Sequence, residues 1–292
     1  MSMIAPPDMQ WCFSTLGCPE ASLPEAFALA SEFFIPAIEL RSLQNTVELP
    51  KLFAESGWSP PVVRDLAAHH HVRLASAGSS FKLISPEASE RAALTEFCAW
   101  ADALDIPFVR IFGGGKWSVP LTDADFQMAI QNLDWWRAEK SARGWRLELL
   151  LETHDAFAAS EPCLHLNRRL AQPLNLIWDS HHTWRFGGEK PAETWRQIGP
   201  LVRHVHFKDS MDKPSARHPY TYVLCGQGQM PLGDIIAILR GNNFKGGVSL
   251  EWEKLWHPYL APLSTALDGL RKLPWFLPLT PRAASPVSVR AA

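Results

Sequence analysis

Eight short apolar runs alternate with longer amphipathic segments along almost the whole chain, and this alternation constrains the fold more than any other feature. The segments between the runs have helical spacing. Strands that are separated by helices pair in parallel, because a parallel pair needs a long crossover connection. The runs have the length and composition of buried strands, and they fall at residues 10–15, 36–40, 72–78, 108–113, 146–152, 175–179, 202–207 and 247–251.

The length of the alternating region favours a closed barrel over an open sheet. The 262 residues from Trp11 to Lys272 are close to the roughly 250 of a typical (β/α)₈ barrel. A doubly wound open sheet usually carries a glycine fingerprint after its first strand, and residues 14–22 contain one glycine. We therefore predict a single (β/α)₈ TIM barrel with a parallel eight-stranded core over residues 11–272. Residues 1–10 form an N-terminal lead, and residues 273–292 form a short C-terminal extension.

Charge and cysteine content limit the partners and the compartment. The formal net charge of −2 counts against a broad basic surface of the kind that binds nucleic acid. The five cysteines are scattered and contain no C-x-x-C pair, which is typical neither of a disulfide framework nor of a zinc-thiolate site. Neither a secretory signal nor an apolar run long enough to cross a membrane is present. We expect a soluble cytoplasmic protein without nucleic-acid or membrane partners. The sequence is compatible with a homo-oligomer.

Acidic and imidazole side chains stand at the carboxyl ends of the last four predicted strands. They are Glu152, Asp179, His206 and Glu251. In a barrel these strand ends share the face that carries the active site. Three carboxylates in close proximity would raise one another's pKa unless a cation lies between them. Three oxygen donors and one imidazole suit Mn²⁺, Mg²⁺ or Co²⁺ and tolerate Zn²⁺. The sequence therefore predicts one divalent metal ion, Mn²⁺ by preference, at these four residues.

The neighbours of these ligands follow from strand periodicity. In HVHFKD, alternation places His204, His206 and Lys208 on one face of the seventh strand. His204 lies one layer deeper than His206, as a core residue or as a residue that orients the metal ligand. Lys208 lies at the mouth, where it contacts a substrate oxygen or pairs with a neighbouring acid. His154 and Asp155 directly follow the fifth strand and are candidates for orienting the ligands there.

Further polar and aromatic residues at the predicted mouth are candidates for substrate contact. His182, one short turn after the sixth strand, can hydrogen-bond a substrate hydroxyl. Glu39 and Arg41 after the second strand, and Arg110 on the fourth, either contact substrate or form internal ion pairs. Trp117 lies in a mouth loop, where its ring can pack against the apolar C–H face of a sugar.

At these residues the sequence resembles the sugar isomerase and epimerase group of the xylose isomerase-like barrel superfamily. The resemblance covers nearly the whole barrel. It implies the same four metal ligands, a proton-transfer pair formed by Glu152 and Glu251, and substrate binding by His182. Ketose 3-epimerases of this group carry a further glutamate six residues after the first ligand, and here that position is Ala158. The most specific stretches are LLLETHD, LIWDSHHTW, VRHVHFKDS and GQGQMPLGDIIAILRGNNFKGGVSLEWE.

The resemblance and the predicted metal together favour a metal-dependent isomerase or epimerase of a small carbohydrate. Proton removal beside a metal-chelated carbonyl gives an enediolate, and return of the proton to another face or carbon gives the product. Loss of a β-hydroxyl would instead make the same site a dehydratase, as for an inosose. Two further alternatives are an apurinic-site endonuclease and a barrel that binds a metabolite without catalysis. The endonuclease needs extra histidines after the third and fourth strands, and residues 74–83 and 109–117 contain none.

Overall fold

The computed structural model describes residues 9–85 and 87–276, and strands and helices alternate along them. The strands are β1 (Gln10–Ser14), β2 (Ala37–Leu40), β3 (Arg73–Lys82), β4 (Phe108–Phe112), β5 (Glu148–Glu152), β6 (Leu176–Asp179), β7 (Val202–Phe207), β8 (Asp209–Met211), β9 (Thr221–Val223) and β10 (Gly247–Leu250). The α-helices are α1 (Leu23–Glu32), α2 (Leu49–Glu55), α3 (Pro60–His70), α4 (Ala88–Ala103), α5 (Asp123–Arg143), α6 (Ser160–Arg168), α7 (Ser180–Arg185), α8 (Pro191–Ile198), α9 (Leu232–Gly241) and α10 (Leu263–Arg271).

Eight of the strands close into a parallel barrel, which confirms the predicted fold. Strands β1 to β7 follow one another around the barrel, and β10 closes it by pairing with both β7 and β1. All eight lie at the predicted strand segments. The short β8 and β9 pair antiparallel outside the barrel, between β7 and α9. This pair is the one extended element in the described ranges that the sequence pattern did not predict.

The outer helices begin where side chains can satisfy their first backbone N–H groups. At α1, the Glu25 amide donates to Ser22 Oγ, and the Ser22 amide donates to a Glu25 oxygen, which forms a capping box. At α5, Thr122 and Asp125 make the same reciprocal pair. Each cap of this kind stabilises a helix by about 1 kcal/mol. The helices then pack their apolar faces on the barrel in one continuous buried core.

The described ends of the chain pack beside β1. The rings of Trp275 and Phe276 lie 6.3 and 4.6 Å from the ring of Trp11, so the first part of the C-terminal extension is held against the barrel. Residues 1–8 and 277–292 lie outside the described residues, and the predicted domain boundaries stay a prediction. Within residues 9–85 and 87–276, every helix is too short or too polar to cross a membrane.

Candidate active site

The four predicted metal ligands converge at the carboxyl end of the barrel. Glu152 and Asp179 are the last residues of β5 and β6, His206 is the fifth residue of β7, and Glu251 directly follows β10. One potential ligand atom from each of the four lies within 4.8 Å of those of the other three. Their exposed fractions range from 0 to 7%, so the charges meet in a site that is almost fully shielded from water.

The donor set fits a divalent cation. His206 Nδ1 lies 3.1 Å from Glu152 Oε1 and 3.5 Å from Glu251 Oε1. Glu152 Oε2 is buried and has no hydrogen-bond partner among the described residues. A buried carboxylate oxygen without a hydrogen bond is costly, and a cation would satisfy it. The site thus offers three carboxylates and one imidazole as ligands, and Glu152 Oε2 has a long ion pair with Arg110 Nε at 3.5 Å in place of a hydrogen bond.

Lys208 is the principal buried counter-charge of this site. Its ammonium Nζ lies 2.8 Å from Asp179 Oδ2, 2.5 Å from Glu251 Oε2 and 2.7 Å from Glu253 Oε1. Burial would lower the pKa of Lys208, but these three carboxylates outweigh it and hold the pKa well above its ordinary value. Of the two alternatives raised by the sequence, the ion pair with neighbouring acids is thus present.

The acids around Lys208 differ in how readily they take up a proton. Burial raises the pKa of Glu251 to about 7, against the opposing effect of Lys208 and His206. Burial also raises the pKa of Asp179, although Lys208 opposes it. At Glu152 the balance is reversed: burial would raise the pKa, but His206 and Arg110 hold it well below its usual range. Two glutamates of the same shell therefore have different proton affinities.

Glu39 supports His206 from beneath the site. Its Oε2 accepts from Ser76 Oγ at 2.9 Å and lies 2.9 Å from His206 Nε2 and 3.0 Å from His204 Nε2. These contacts leave Glu39 3% exposed and facing the barrel interior. The structure therefore places Glu39 against His206 and His204, and its predicted contact with a substrate stays a prediction. His204 lies one layer below His206, as the strand periodicity predicted, and it contacts the same carboxylate.

Two buried arginines flank Glu152 on the β3–β4 side. Arg110 Nε lies 3.5 Å from Glu152 Oε2, and its guanidinium lies 3.7 Å from the centre of the Phe112 ring. Arg41 is held by Gly78 O and Ser80 Oγ. Burial, together with the charge of Arg110, lowers the pKa of Arg41 to about 9. For both residues the internal contacts are present, and Arg110 is the one that faces a predicted ligand.

A cavity of about 310 Å³ opens above this cluster. His182 stands on its wall, and its backbone N donates to Asp179 Oδ1 at 2.9 Å. His182 Nδ1 lies 3.1 Å from the Thr153 carbonyl, which can only accept, so Nδ1 carries the proton and Nε2 is left to accept. His154 Nδ1 lies 2.9 Å from Asp155 Oδ1. The predicted residues His154, Asp155, His182 and Trp117 all line this cavity.

Aromatic rings form the outer walls of the same cavity. Trp117 is 58% exposed and stacks on Phe186 with ring centres 5.6 Å apart. Tyr220 and His218 stack at 4.7 Å, and the Tyr220 ring lies 6.1 Å from the Phe186 ring. Flat apolar rings beside convergent polar groups are suited to the C–H faces and hydroxyls of a sugar.

Several lining residues were not among the predicted site residues, and Glu253, Tyr220 and Tyr222 have the most direct contacts with the charged cluster and the aromatic wall. Glu253 binds Lys208 and accepts from Tyr222 Oη at 2.9 Å. Glu253 had a readable signal, because Glu251 and Glu253 are two residues apart and so tend to share a face. Tyr220 and Tyr222 had none, because they reach the cavity on the unpredicted β8–β9 segment.

Asp209 fixes the loop that carries this aromatic wall back towards α9. Its two oxygens accept from the backbone N of Ser210, Gly226, Gly228 and Met230 at 2.9 to 3.0 Å. A Cβ at Gly228 would lie 2.2 Å from Asp209 Oδ1, so the close approach requires glycine there. The backbone N–H groups of the GQGQM stretch thus bind the buried Asp209 carboxylate.

The comparisons with known proteins agree with this fold. Residues 30–273 match the family model described as a xylose isomerase-like TIM barrel. No curated protein matches the chain by sequence.

Three solved structures illustrate the likeness. Their sequence identities to this chain are low, so they support the fold alone. The probable 3-DHS dehydratase AsbF from Bacillus anthracis aligns with a TM-score of 0.72 and 18% identity over 90% of this chain and 99% of its own. The 3-keto-D-glucoside 4-epimerase YcjR from E. coli aligns at 0.70 and 14% over 90% and 98%. The IOLI protein with a bound zinc atom aligns at 0.72 and 16% over 90% and 96%. The family match and the closed parallel barrel together establish that this chain belongs to the xylose isomerase-like TIM barrel family.

Proposed function

We propose that the chain is a divalent-metal-dependent isomerase or epimerase of a sugar or sugar derivative. The observation that carries the proposal is the convergence of Glu152, Asp179, His206 and Glu251, with one ligand atom of each within 4.8 Å of the others. The cavity beside them is small for a ligand pocket, which favours a single sugar over a polymer. The epimerase and dehydratase among the similar structures support a carbohydrate-like substrate.

The four converging residues would hold the cation. When bound, a divalent cation supplies Lewis acidity that stabilises negative charge on oxygen while a proton leaves the neighbouring carbon. We propose Mn²⁺ as the preferred ion because oxygen donors predominate. Zinc is the alternative that the related IOLI structure supports. Titration of the metal-free protein with Mn²⁺, Mg²⁺, Co²⁺ and Zn²⁺ by calorimetry tests the preference. Tightest binding of an ion other than Mn²⁺ would contradict it.

Glu152 and Glu251 are the proposed proton carriers. Each carboxylate has two oxygens, so one can serve the cation while the other takes up or delivers a proton. Glu152 stays ionised because His206 and Arg110 lie against it, so its carboxylate is available to accept a proton from a carbon that the bound cation has acidified. Glu251 receives the hydrogen bond of Lys208, so a proton can be restored on that side.

The cavity residues bind and orient the substrate. His182 Nε2 is free to accept from a hydroxyl, since Nδ1 is committed to the Thr153 carbonyl. His154 offers a ring N–H to a substrate oxygen, while Lys208 acts through the three carboxylates that it holds. Trp117 with Phe186 covers an apolar face and excludes water. These roles for His154, His182 and Lys208 extend the sequence predictions to specific atoms.

Exchange of a carbon-bound proton with deuterated water tests the proposal whichever isomer the reaction forms. A panel of ketoses, inososes and hydroxy-keto acids is incubated with the Mn²⁺-loaded protein, and exchange is followed by NMR. E152Q and E251Q should each reduce exchange at least about 100-fold. E161Q is the matched control, because Glu161 is 67% exposed and pairs with Arg168 on the surface. Measured metal content separates loss of a proton carrier from loss of the ion. Unchanged exchange in both metal-loaded variants would contradict the assigned roles.

Dehydration is the second candidate, and Lys208 is the observation that favours it. Its ammonium donates to Glu251 Oε2, so a proton can reach a departing hydroxyl through the Glu251 carboxyl. The same panel distinguishes the two reactions. A dehydratase yields a conjugated product with a new ultraviolet absorption, whereas an isomerase or epimerase yields an isomer of unchanged mass.

The setting that we propose is the cytoplasm. All five cysteines are buried and unpaired, which is usual in a reducing compartment. Fractionation of the producing cells tests this placement, and recovery outside the cytoplasm would contradict it.

A further inference from the structure

A second cavity, of about 640 Å³, lies at the opposite, amino-terminal end of the barrel. The first residues of five barrel strands border it, together with the loops that precede β7 and β10. This end of a TIM barrel usually carries stability and not catalysis, so the proposed sugar site does not account for it. The five strand-initial residues are Gln10, Arg73, Phe108, Val202 and Gly247.

The cavity exists because the lowest side-chain layer of the barrel is small. Barrel interiors are normally filled by layers of bulky branched residues. Here Cys12, Ala37 and Ala75 form a separate small cluster, and Gly247 contributes no side chain. The His204 ring occupies the space above Gly247, where a Cβ would lie 2.4 Å from His204 Nδ1. A buried imidazole thus stands among small residues on the cavity floor.

The charge of the lining has one sign. Arg73, Arg203 and Lys245 line the cavity, and its lining contains neither aspartate nor glutamate. Within residues 9–85 and 87–276, the Arg73 side chain is exposed and makes no hydrogen bond or ion pair that would neutralise it. Arg203 is fixed at the rim, because its Nη1 donates to the Pro200 carbonyl at 2.9 Å.

Polar and aromatic groups complete a lining with the character of a ligand site. Phe108, Trp195 and Phe244 supply apolar walls, and Asn242 and Asn243 supply amides. Cations on the rim, an imidazole on the floor and aromatic walls between them match a small molecule with one anionic end and an apolar body.

We propose that this amino-terminal cavity binds a small organic oxyanion, a carboxylate or a phosphate monoester. Arg73 holds the anionic group, Arg203 adds positive charge at the rim, and the aromatic walls hold the apolar part. The site is separate from the proposed metal centre, so the proposal does not rest on the proposed function.

Isothermal titration calorimetry of the 292-residue protein with phenyl phosphate, inorganic phosphate and benzoate tests the site. Binding of benzoate would identify carboxylate recognition, and binding of the two phosphates would identify phosphate recognition. R73A should weaken binding about tenfold or more, and R73E should abolish it. R168A is the matched control, since Arg168 is 59% exposed and lies on α6.

The comparison between variants also locates the bound anion. An anion held at the metal centre would bind R73A as tightly as the unmodified protein, and that result would overturn the proposal. If R168A weakened binding as much as R73A does, the effect would come from long-range charge and not from a contact, and this result would also overturn the proposal. Absence of binding of all three probes at millimolar concentration is the third contrary outcome. Circular dichroism checks that the variants are folded, which the exposure of Arg73 leads us to expect.

Discussion

Replacing Lys208 with methionine removes the buried cation on which three acids of the site depend. The ammonium lies within 2.8 Å of Asp179, Glu251 and Glu253, and each of these carboxylates is at most 14% exposed. Methionine preserves most of the volume, so the main consequence is electrostatic. In metal-free protein the acids must then remain charged in a shielded site or take up protons.

The size of the loss follows from the cost of taking up those protons. Glu251 can accept one near neutrality at little cost, because burial raises its pKa to about 7. Glu253 is different: burial would raise its pKa, but Lys208 holds it well below the ordinary value of 4.5. Neutralising a carboxyl with an ordinary pKa of 4.5 costs about 3.4 kcal/mol at pH 7, at about 1.4 kcal/mol for each pH unit. We therefore expect K208M to lower the free energy of unfolding by about 3 kcal/mol at pH 7.

The sign of the pH dependence is fixed by the same reasoning. The pKa of Lys208 is raised in the folded protein, so its stabilising effect is fully present below its ordinary value of 10.5 and is lost as pH rises through the folded value. The acids that lose Lys208 are cheaper to protonate at low pH. The difference between K208M and the unmodified protein should therefore shrink to about 1 kcal/mol at pH 5.

Urea denaturation in the presence of a chelator, at pH 5 and pH 7, measures both differences. K140M is the control, because Lys140 pairs with Glu148 at a partly exposed position and its loss should cost at most about 1 kcal/mol. A divalent cation should restore more stability to K208M than to the unmodified protein, because it replaces the missing charge. Equal losses at the two pH values, or a loss below about 1 kcal/mol at pH 7, would refute the electrostatic reasoning.

Three further variants test features outside the charge cluster, each by denaturant unfolding. D209A removes the acceptor of four backbone N–H groups and should cost about 3 kcal/mol. D234A, at an exposed position of α9, is the control, and an equal loss in the two variants would contradict the loop assignment. G113A places a Cβ 2.1 Å from Phe157 Cδ2 and should cost about 1–3 kcal/mol, whereas G144A strains only an open helix end; equal losses would argue against overpacking. T122A should cost about 1 kcal/mol and T122S much less, unless the reciprocal cap is unimportant.

Much of the site was predictable because two simple rules relate the position of a residue in the sequence to its place in the barrel. Alternation along a strand and the common orientation of strand ends in a barrel place Glu152, Asp179, His206 and Glu251 together, whatever the loops do. The same rules predicted His204 beneath His206. Both rules apply to regular backbone, and each of these residues lies in a strand or directly after one.

The parts that were missed depend on irregular backbone or on contacts across the barrel. Tyr220 and Tyr222 reach the cavity because residues 209–223 fold into an antiparallel pair, which is too short for a clear alternation pattern. The position of Glu39 near the end of β2 predicts a place at the mouth. In the structure, Glu39 Oε2 lies 2.9 Å from Nε2 of His206, which stands across the barrel on β7. No pattern within β2 indicates the position of β7.

Lys208 and a metal ion are not competing solutions to the same charge problem, because a carboxylate has two oxygens. Lys208 contacts Asp179 Oδ2 and Glu251 Oε2, while Glu251 Oε1 is the oxygen on the His206 side. The same acid can therefore face the ammonium with one oxygen and a metal with the other. Such a site keeps its carboxylates in place before a cation arrives, which limits the reorganisation that binding requires. Glu253 completes the arrangement by holding the ammonium from the cavity side, where it contacts Lys208 and none of the four predicted ligands.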